Sequence, residues 1–163
     1  MSRVVDIILS LLLILVLIPI ALVIIIILFI QNDGVIYKEQ RVGYNHRLFN
    51  LYKFKTMSDW GHDKFNAHIA SLPPSEQKYH NEMRRLNNDP RVGKFRSFLR
   101  KTKLDEIPQF VNIARGDMAL VGIRPITYNE LKNYHGSNIR YTDHRPGLTG
   151  LFQIFNCNTL EQQ

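Results

Sequence analysis

A run of apolar residues near the start of the chain is the feature that most limits how it can fold. From Ile7 to Ile30, only Ser10 and Pro19 are not clearly apolar. As one helix the run would measure about 36 Å, which exceeds the roughly 30 Å hydrocarbon core of a bilayer. A secretory signal is a poorer explanation, because its apolar region is about 7 to 15 residues long and ends at small residues. The run is therefore predicted to stay in a membrane.

Pro19 stands near the middle of this run. Proline removes one backbone donor and clashes with the preceding turn, so a bend is expected there. Two arrangements remain open: a kinked helix that spans the bilayer, or a helix broken at Pro19 into two arms of about 17 Å that enter and leave on one face. The basic residues lie mainly after the run, which places that part of the chain in the cytosol and leaves the N-terminus undecided.

Composition limits the part of the chain beyond the membrane segment. We divide the chain into a membrane-embedded helix, residues 1–31, and one cytosolic domain, residues 32–163. The chain has 21 Lys and Arg against 14 Asp and Glu, a net charge of +7. Such a surface suits phosphates, nucleic acid or anionic lipid headgroups. Cys157 is the only cysteine, so no intramolecular disulfide can form, as expected on the reducing side of a membrane.

Turn signals and aromatic residues predict a small β-hairpin after the membrane segment. Asn32-Asp33-Gly34 is a turn signal, and residues 35–37 have strand character. A second turn around Gly43-Tyr44-Asn45 precedes residues 48–57, which mix aromatic and Lys side chains and suggest a half-exposed strand. Residues 58–72 are polar with scattered apolar positions, and no element is predicted there.

Two helices are predicted further on. Pro73-Pro74-Ser75 begins a helix that runs to about Leu86, and its basic residues face either solvent or the membrane surface. Apolar residues recur at helical spacing in the next segment, which predicts an amphipathic basic helix. The basic residues of the first helix are Lys78, Arg84 and Arg85, and the apolar positions of the second are Val92, Phe95, Phe98 and Leu99.

Asp105 and Glu106 are predicted to lie at a helix N-terminus. Pro108 is tolerated only in the first turn of a helix, and Gly116 is suited to end that helix. Residues 118–121 form a short apolar segment that predicts a strand. The simplest role of the two carboxylates is to interact favourably with the helix dipole.

The residues around this pair suggest a phosphate site instead. Basic residues precede it, and two Arg-Pro dipeptides follow it at Arg124 and Arg145. The planar fork of arginine can bind a diphosphate in a bidentate manner. Positive surroundings and free amide groups are expected to lower the pKa of Asp105, so that its carboxylate is ionised and can act as a nucleophile. Glu106 could serve as a ligand of Mg²⁺.

Other chemistries fit the sequence less well. The six His residues show no metal-ligand spacing, and a single cysteine makes a zinc site improbable. No Walker loop or Gly-x-Gly-x-x-Gly motif is present, which disfavours kinases and dinucleotide enzymes. Base-stacking aromatics are not evident, so no nucleic-acid partner is predicted. A membrane-tethered basic module that binds anionic lipid and catalyses nothing remains an alternative.

Several ordered blocks closely resemble the bacterial sugar transferases called monotopic phosphoglycosyl transferases. The main block is Leu104–Asn112, followed by Arg115–Pro125. The similarity extends back through residues 40–43 and 52–57 and forward to residues 145–150, so that it covers most of the chain.

This resemblance implies an α+β fold, with a proline-broken re-entrant membrane helix and a small, mainly helical cap with short strands on the cytosolic face of the bacterial inner membrane. It also implies a two-step reaction in the first membrane step of glycan assembly. An aspartate, here Asp105, attacks the sugar-bearing phosphate of a UDP-sugar, UMP leaves, and a polyprenyl phosphate such as undecaprenyl phosphate takes the phosphosugar. Glu106 is implied to serve Mg²⁺, and the implied substrate-binding residues are Lys55, Arg100, Arg124 and Arg145.

Two departures from the family pattern suggest an alternative in which the protein is catalytically inactive. Cys157 stands where the family has an arginine, and the chain ends at Gln163, short of the additional C-terminal helices that most members carry. A catalytically inactive membrane-bound relative that binds UDP-sugar or recruits glycan enzymes is therefore kept as a second interpretation. The sequence leaves the choice of sugar and polyprenol open and is compatible with a homodimer.

Overall fold

The computed structural model describes residues 3–83, 86, 89–132 and 141–150. These residues form a mixture of helices and short strands, which agrees with the predicted α+β class. Short 3₁₀ turns lie at Tyr44–His46, Leu104–Glu106 and Tyr141–Asp143. The longer elements are α1 Arg3–Ile30, β1 Ile36–Val42, β2 Leu48–Phe54, α2 His62–Ser71, α3 Pro74–Met83, α4 Lys94–Thr102, α5 Gln109–Arg115, β3 Ala119–Val121, α6 Tyr128–Lys132 and β4 Gly147–Thr149.

The predicted hairpin is confirmed. β1 and β2 pair antiparallel, with Ile36 opposite Phe54 and Val42 opposite Leu48. β1 is longer than predicted because its residues 38–41 pair with β2 even though they are polar. Phe49, Leu51 and Phe54 of β2 are buried. The hairpin therefore contributes one strand to the core and leaves most of the other exposed.

The helix predicted from Pro73-Pro74-Ser75 is confirmed as α3, although Arg84 and Arg85 of its predicted basic face lie outside the described residues. The predicted basic helix is α4, which buries Leu99 and leaves Phe98 53% exposed. α2 was not predicted, because its apolar positions are too few to produce a clear helical period.

The segment that carries Asp105 begins where α4 ends. Lys103 adopts a left-handed conformation (φ 61°) and turns the chain, and the 3₁₀ turn Leu104–Glu106 follows. The amides of Phe110 and Val111 donate to the carbonyls of Ile107 (3.2 Å) and Pro108 (3.1 Å), both three residues earlier. α5 therefore begins at Gln109, later than predicted, because the first turn is tightened into 3₁₀ geometry. Gly116 ends α5 at φ 100°, as predicted.

β3 and β4 form a short parallel pair. The strand predicted at residues 118–121 is thereby confirmed as β3. Gly122, just after β3, lies against Gly147, the first residue of β4, and a Cβ on Gly122 would lie 2.8 Å from the amide nitrogen of Gly147. No side chain fits between these two backbones, which brings the turn before Arg124 close to the segment after Arg145.

We call the part of the chain after Gln31 the cap, and its core joins it to α1. One buried cluster lies under the hairpin, and a second combines residues of α1, β2 and α4. Leu104 and Ile107, which flank the two carboxylates, pack against the second cluster. The members of the first cluster are Phe49, Leu51, Ile113, Met118 and Leu120, and those of the second are Ile24, Leu28, Phe54 and Leu99.

Both ends of α1 contact this cap. Near its start, Arg3 Nη2 donates to the carbonyl of Ala114 (3.2 Å), and a carboxylate oxygen of Asp6 accepts from the amide of Leu120 (3.3 Å). Near its end, Ile24 and Leu28 are buried in the second cluster. Between these contacts α1 is largely exposed and apolar, and by length and composition it could cross a membrane.

Pro19 lies inside α1, which continues from Arg3 to Ile30 as a single helix. The predicted break at Pro19 is therefore not confirmed. The Pro19 ring is exposed, so it occupies neither of the two regions where α1 packs against the cap.

Leu99→Ala should lower the free energy of unfolding by about 2–5 kcal/mol, because Leu99 is fully buried between α1 and the cap. Chemical denaturation of the protein in neutral detergent micelles would measure the change. Phe98→Ala, one residue earlier on the exposed side of α4, is the matched control and should cost less than about 1 kcal/mol. Equal losses in the two variants would contradict this packing.

Candidate active site

Asp105 is buried at the end of the second core cluster. Its neighbours Leu104 and Ile107 pack into that cluster, which draws the intervening turn inward and leaves Asp105 only 8% exposed. Among the described residues, its Oδ1 atom has no hydrogen-bond partner although it is buried. A buried carboxylate oxygen without a partner is costly, since it has lost its water and gained nothing in return. Such a group is unusual enough to indicate a functional role.

The predicted direction of the pKa shift of Asp105 is wrong. Burial raises the pKa of this carboxyl above its ordinary value, and the charge of Glu106 raises it further. The positive charges of Lys53 and Lys103 act in the opposite direction but are outweighed. The sequence argument considered the nearby charges but could not include the loss of hydration, which depends on packing. Of the two lysines, Lys103 belongs to the basic segment predicted just before the pair, whereas Lys53 comes from β2 and was not predicted.

Glu106 points away from the core into a small pocket. Its carboxylate forms an ion pair with Lys53 Nζ at 3.1 Å, and the two side chains are 22% and 31% exposed. The pocket, of about 40 Å³, is also lined by Arg124 and Gln109. The Asp105 carboxylate is thus buried with one oxygen that has no partner among the described residues, whereas the Glu106 carboxylate is held by a cation beside an arginine.

Arg41 supports the turn that carries Arg124. The buried Arg41 guanidinium donates to the carbonyl of Pro125 (3.0 Å) and to Glu130 (3.2 Å). These bonds bring Arg124 to the pocket of Glu106, which agrees with the predicted grouping of Arg124 with the carboxylate pair. Arg41 and Lys53 were not predicted as site residues, although each lies within a block that carries the family resemblance. The pairing of β1 and β2 places them on the same pocket wall.

Lys55 and Arg100 do not line the pocket of Glu106. Lys55 forms an ion pair with Asp59, and Arg100 Nε donates to Thr56 Oγ1 at 2.8 Å. Lys53, which lies on β2 two residues before Lys55, is the lysine that reaches the carboxylate pair. Substrate-binding roles for Lys55 and Arg100 remain predictions.

Arg145 lies in a different pocket. Its Nε atom donates to the carbonyl of Gly116 at 2.9 Å, and its guanidinium lies over the ring of Tyr44. This pocket has a volume of about 370 Å³ and also contains Arg3, Arg47 and Arg115. The predicted grouping of Arg145 with Asp105 and Glu106 is not seen, because Gly116 holds Arg145 at the far end of α5.

The carboxylate pair suits Mg²⁺ but no metal that needs many protein ligands. Among the described residues, no group of three or more His, Cys, Asp or Glu side chains could hold a metal ion. Mg²⁺ typically takes one or two carboxylates and completes its shell with water and substrate phosphate. The partnerless oxygen of Asp105 and the adjacent Glu106 fit that pattern. Cys157, the predicted departure from the family, lies outside the described residues.

Asp105→Asn should raise the melting temperature at pH 7, because it removes a buried charge. Asp105 has a raised pKa in the folded state, so its protonation favours folding at low pH, and this contribution is lost as pH rises through the folded-state pKa. The gain from the substitution should therefore shrink as pH falls towards 4. Thermal unfolding from pH 4 to 8 would test this, with the exposed Asp63→Asn as control. A gain that grows on acidification would contradict the assignment.

Comparison with known proteins agrees with the family resemblance. Residues 1–162 match the family model described as bacterial sugar transferase. The exopolysaccharide production protein ExoY of Rhizobium meliloti is 39% identical over 130 residues, which cover 80% of this chain and 57% of that protein. An undecaprenyl-phosphate galactose phosphotransferase of Salmonella typhimurium is 38% identical over 134 residues, covering 81% of this chain and 28% of that protein.

A third relative is matched over more of the present chain. The UDP-glucose:undecaprenyl-phosphate glucose-1-phosphate transferase of Escherichia coli is 32% identical over 159 residues, covering 94% of this chain and 31% of that protein. The chain thus spans about half the length of one of these three relatives and about a third or less of the other two. The family match extends over nearly every residue, from the apolar helix through the carboxylate pair, and the chain belongs to the bacterial sugar transferase family.

Proposed function

We propose that this protein transfers a sugar 1-phosphate from a UDP-sugar to a polyprenyl phosphate, with Asp105 as the nucleophile. The observation that carries the proposal is the buried, partnerless oxygen of Asp105 beside the Glu106–Lys53 ion pair. The names of two relatives include undecaprenyl phosphate together with galactose phosphotransferase or glucose-1-phosphate transferase. These names support the class of reaction, and the carboxylate geometry supports its mechanism.

In the first step, an oxygen of the Asp105 carboxylate attacks the sugar-bearing phosphorus of the UDP-sugar. A bond forms between that oxygen and phosphorus, the bond from phosphorus to the bridging oxygen breaks, and UMP leaves with the electron pair. In the second step, a phosphate oxygen of the polyprenyl phosphate attacks the same phosphorus. The aspartyl bond breaks, Asp105 returns as a carboxylate, and a polyprenyl diphosphate sugar is released.

The environment of Asp105 suits this role. Its Oδ1 atom has no hydrogen bond to break before it attacks, and a desolvated carboxylate of raised pKa is a stronger nucleophile once it is ionised. Lys53 and Lys103 favour the ionised form. Burial thus makes the oxygen reactive, while the two lysines limit the loss of its charge.

Glu106 and Asp105 are the residues that would hold Mg²⁺. When bound, Mg²⁺ would offset negative charge on the diphosphate. Arg124 lines the pocket of Glu106 and is exposed, so its guanidinium is available to the nonbridging phosphate oxygens. Lys53 holds Glu106 at 3.1 Å and thereby orients it towards that pocket.

The contacts of α1 support the re-entrant arrangement. Arg3 and Asp6 near one end and Leu28 near the other all pack on the same cap. A helix that crossed the roughly 30 Å hydrocarbon core would carry its first turns away from a cap lying on the other side. We therefore propose that α1 dips into one leaflet of the bacterial inner membrane and that both of its ends face the cytosol.

Cysteines introduced at Ser2 and Asn32 should react with a membrane-impermeant maleimide from the same side of the membrane, because both ends of α1 are held by one cap. Labelling of intact spheroplasts and of inverted vesicles would compare the two faces, in a background where Cys157 is replaced by Ser. Labelling of the two positions from opposite sides would establish a spanning helix and exclude the re-entrant arrangement.

Asp105→Asn should abolish UMP release from UDP-sugars, because the amide is not a nucleophile. Wild-type protein with Mg²⁺ and a donor labelled at its sugar-bearing phosphate, but without acceptor, should retain the label on the protein. A panel of UDP-sugars would identify the donor. Asp63→Asn is the matched control and should leave both UMP release and retention of the label on the protein as they are in the wild type.

The outcomes separate an active transferase from an inactive relative. Release of UMP by Asp105→Asn at the wild-type rate would overturn the assignment of the nucleophile. Folded wild-type protein that neither releases UMP nor retains label with any donor would favour the inactive relative.

A further inference from the structure

We propose that the pocket containing Arg145 binds a phosphate group at a site separate from Asp105. This arginine pocket is defined by Arg3, Arg47, Arg115 and Arg145, and its volume is about 370 Å³. The four side chains come from distant parts of the sequence: the first turn of α1, the turn of the hairpin, the last residue of α5 and the segment before β4. Only the tertiary structure brings these four arginines to one pocket.

The charge in the arginine pocket is unbalanced. Asp117 is the only carboxylate among its lining residues, and it accepts a hydrogen bond from Asn112 Nδ2 at 3.2 Å. In the described part of the chain, none of the four arginines forms an ion pair with a carboxylate. Arg115 donates to the Tyr52 hydroxyl at 3.0 Å, which carries no charge. Positive side chains that line one pocket without ion-paired carboxylates repel one another, and a bound phosphate would relieve that repulsion.

Two of the arginines are already held in place by backbone carbonyls. Arg3 donates to Ala114 and Met118, at 3.2 and 3.4 Å, and Arg145 donates through Nε to Gly116 at 2.9 Å. The bond from Nε leaves both Nη groups of Arg145 available as a fork. Side chains fixed before binding lose less conformational entropy when they bind a ligand.

Gly116 allows this arrangement. Its φ of 100° favours glycine, and a Cβ there would lie 2.9 Å from Arg3 Nη2. Its carbonyl also accepts the bond from Arg145. One residue therefore ends α5, gives Arg3 room and positions Arg145.

Arg47 is the side chain most available to a ligand. It is exposed, and no hydrogen-bond or ion-pair partner for its guanidinium is found among the described residues. Its backbone is held in the hairpin turn, where its carbonyl accepts from the amide of Gly43 at 2.8 Å. Replacing the Arg47 side chain should thus alter binding with little effect on folding.

The arginine pocket and Asp105 lie at opposite ends of the helical segment from Leu104 to Arg115. The rise along that segment places them about 15 Å apart, which is too far for one phosphate to contact both. The arginine pocket is therefore a second site and not an extension of the pocket of Glu106.

The location of Arg3 allows two sources for the phosphate. Arg3 begins α1, and the next residues, Val4 and Val5, are 63% and 45% exposed and apolar. The arginine pocket therefore lies where the apolar surface of α1 meets the polar surface of the cap. Both a lipid headgroup at a membrane surface and a soluble phosphate can approach from there.

Titration calorimetry of the full chain in dodecyl maltoside micelles would test the proposal. One arm would add inorganic phosphate, and another would add micelles containing phosphatidic acid, with phosphatidylcholine as the lipid control. Wild-type protein should bind one phosphate group per chain in at least one of the first two arms. Binding of phosphatidic acid alone would assign the site to headgroups, and binding of inorganic phosphate would assign it to soluble phosphate.

Arg47→Gln should weaken that binding by about tenfold to a hundredfold, the effect of one charge-assisted hydrogen-bonded contact. Arg47→Gln with Arg145→Gln should weaken it further. Lys132→Gln, which removes an exposed charge elsewhere on the cap, and Asp105→Asn should bind as wild type does. The proposal is overturned if wild type binds neither probe, if Arg47→Gln binds like wild type, or if Lys132→Gln loses as much affinity as Arg47→Gln.

Discussion

The packing of Leu28 of α1 and Leu99 of α4 into one apolar cluster is the contact between α1 and the cap on which the placement of the site depends. Both side chains are fully buried, and Ile24 and Phe54 complete the cluster around them. α4 leads directly into the turn that carries the carboxylates, and the residues flanking those carboxylates pack against the same cluster. This cluster thus joins the C-terminal part of α1 to the cap and places Asp105 near that end of α1.

A buried charge reinforces this apolar contact. Arg96 is 2% exposed and forms an ion pair with Asp33 at 3.0 Å, and it also donates to Gln31 (3.1 Å) and to Ser58 (2.8 Å). These partners lie just after α1 and just after β2. These bonds use the Nε and Nη1 atoms of Arg96, whereas Nη2 has no hydrogen-bond partner among the described residues. Because losing a partner of a buried charge is costly, the bonds restrict how the end of α1 can be oriented on the cap.

Burial of Asp105 has two opposite effects on the chemistry of the carboxylate pair. In the proposed mechanism, burial would make the ionised Asp105 a better nucleophile, but the same burial raises its pKa and so disfavours ionisation. Lys53 reduces that penalty and also forms the ion pair with Glu106, so its single charge serves two carboxylates. With Lys53 engaged in this way, Arg124 is the cation of the pocket of Glu106 that the proposed mechanism assigns to the substrate. A diphosphate there would require further positive charge, which agrees with the proposed need for Mg²⁺.

The sequence by itself determined the apolar helix, the hairpin, α4, and the position of the carboxylate pair just before α5, because periodicity, turn residues and Pro108 act locally. It also indicated the family, through ordered blocks that resemble the motifs of bacterial sugar transferases. Only the tertiary structure decided that Lys53 and not Lys55 reaches Glu106, that Arg145 belongs to a second pocket, and that the pKa of Asp105 is raised. Those outcomes depend on strand pairing and burial, which bring together or desolvate groups that are distant in the sequence.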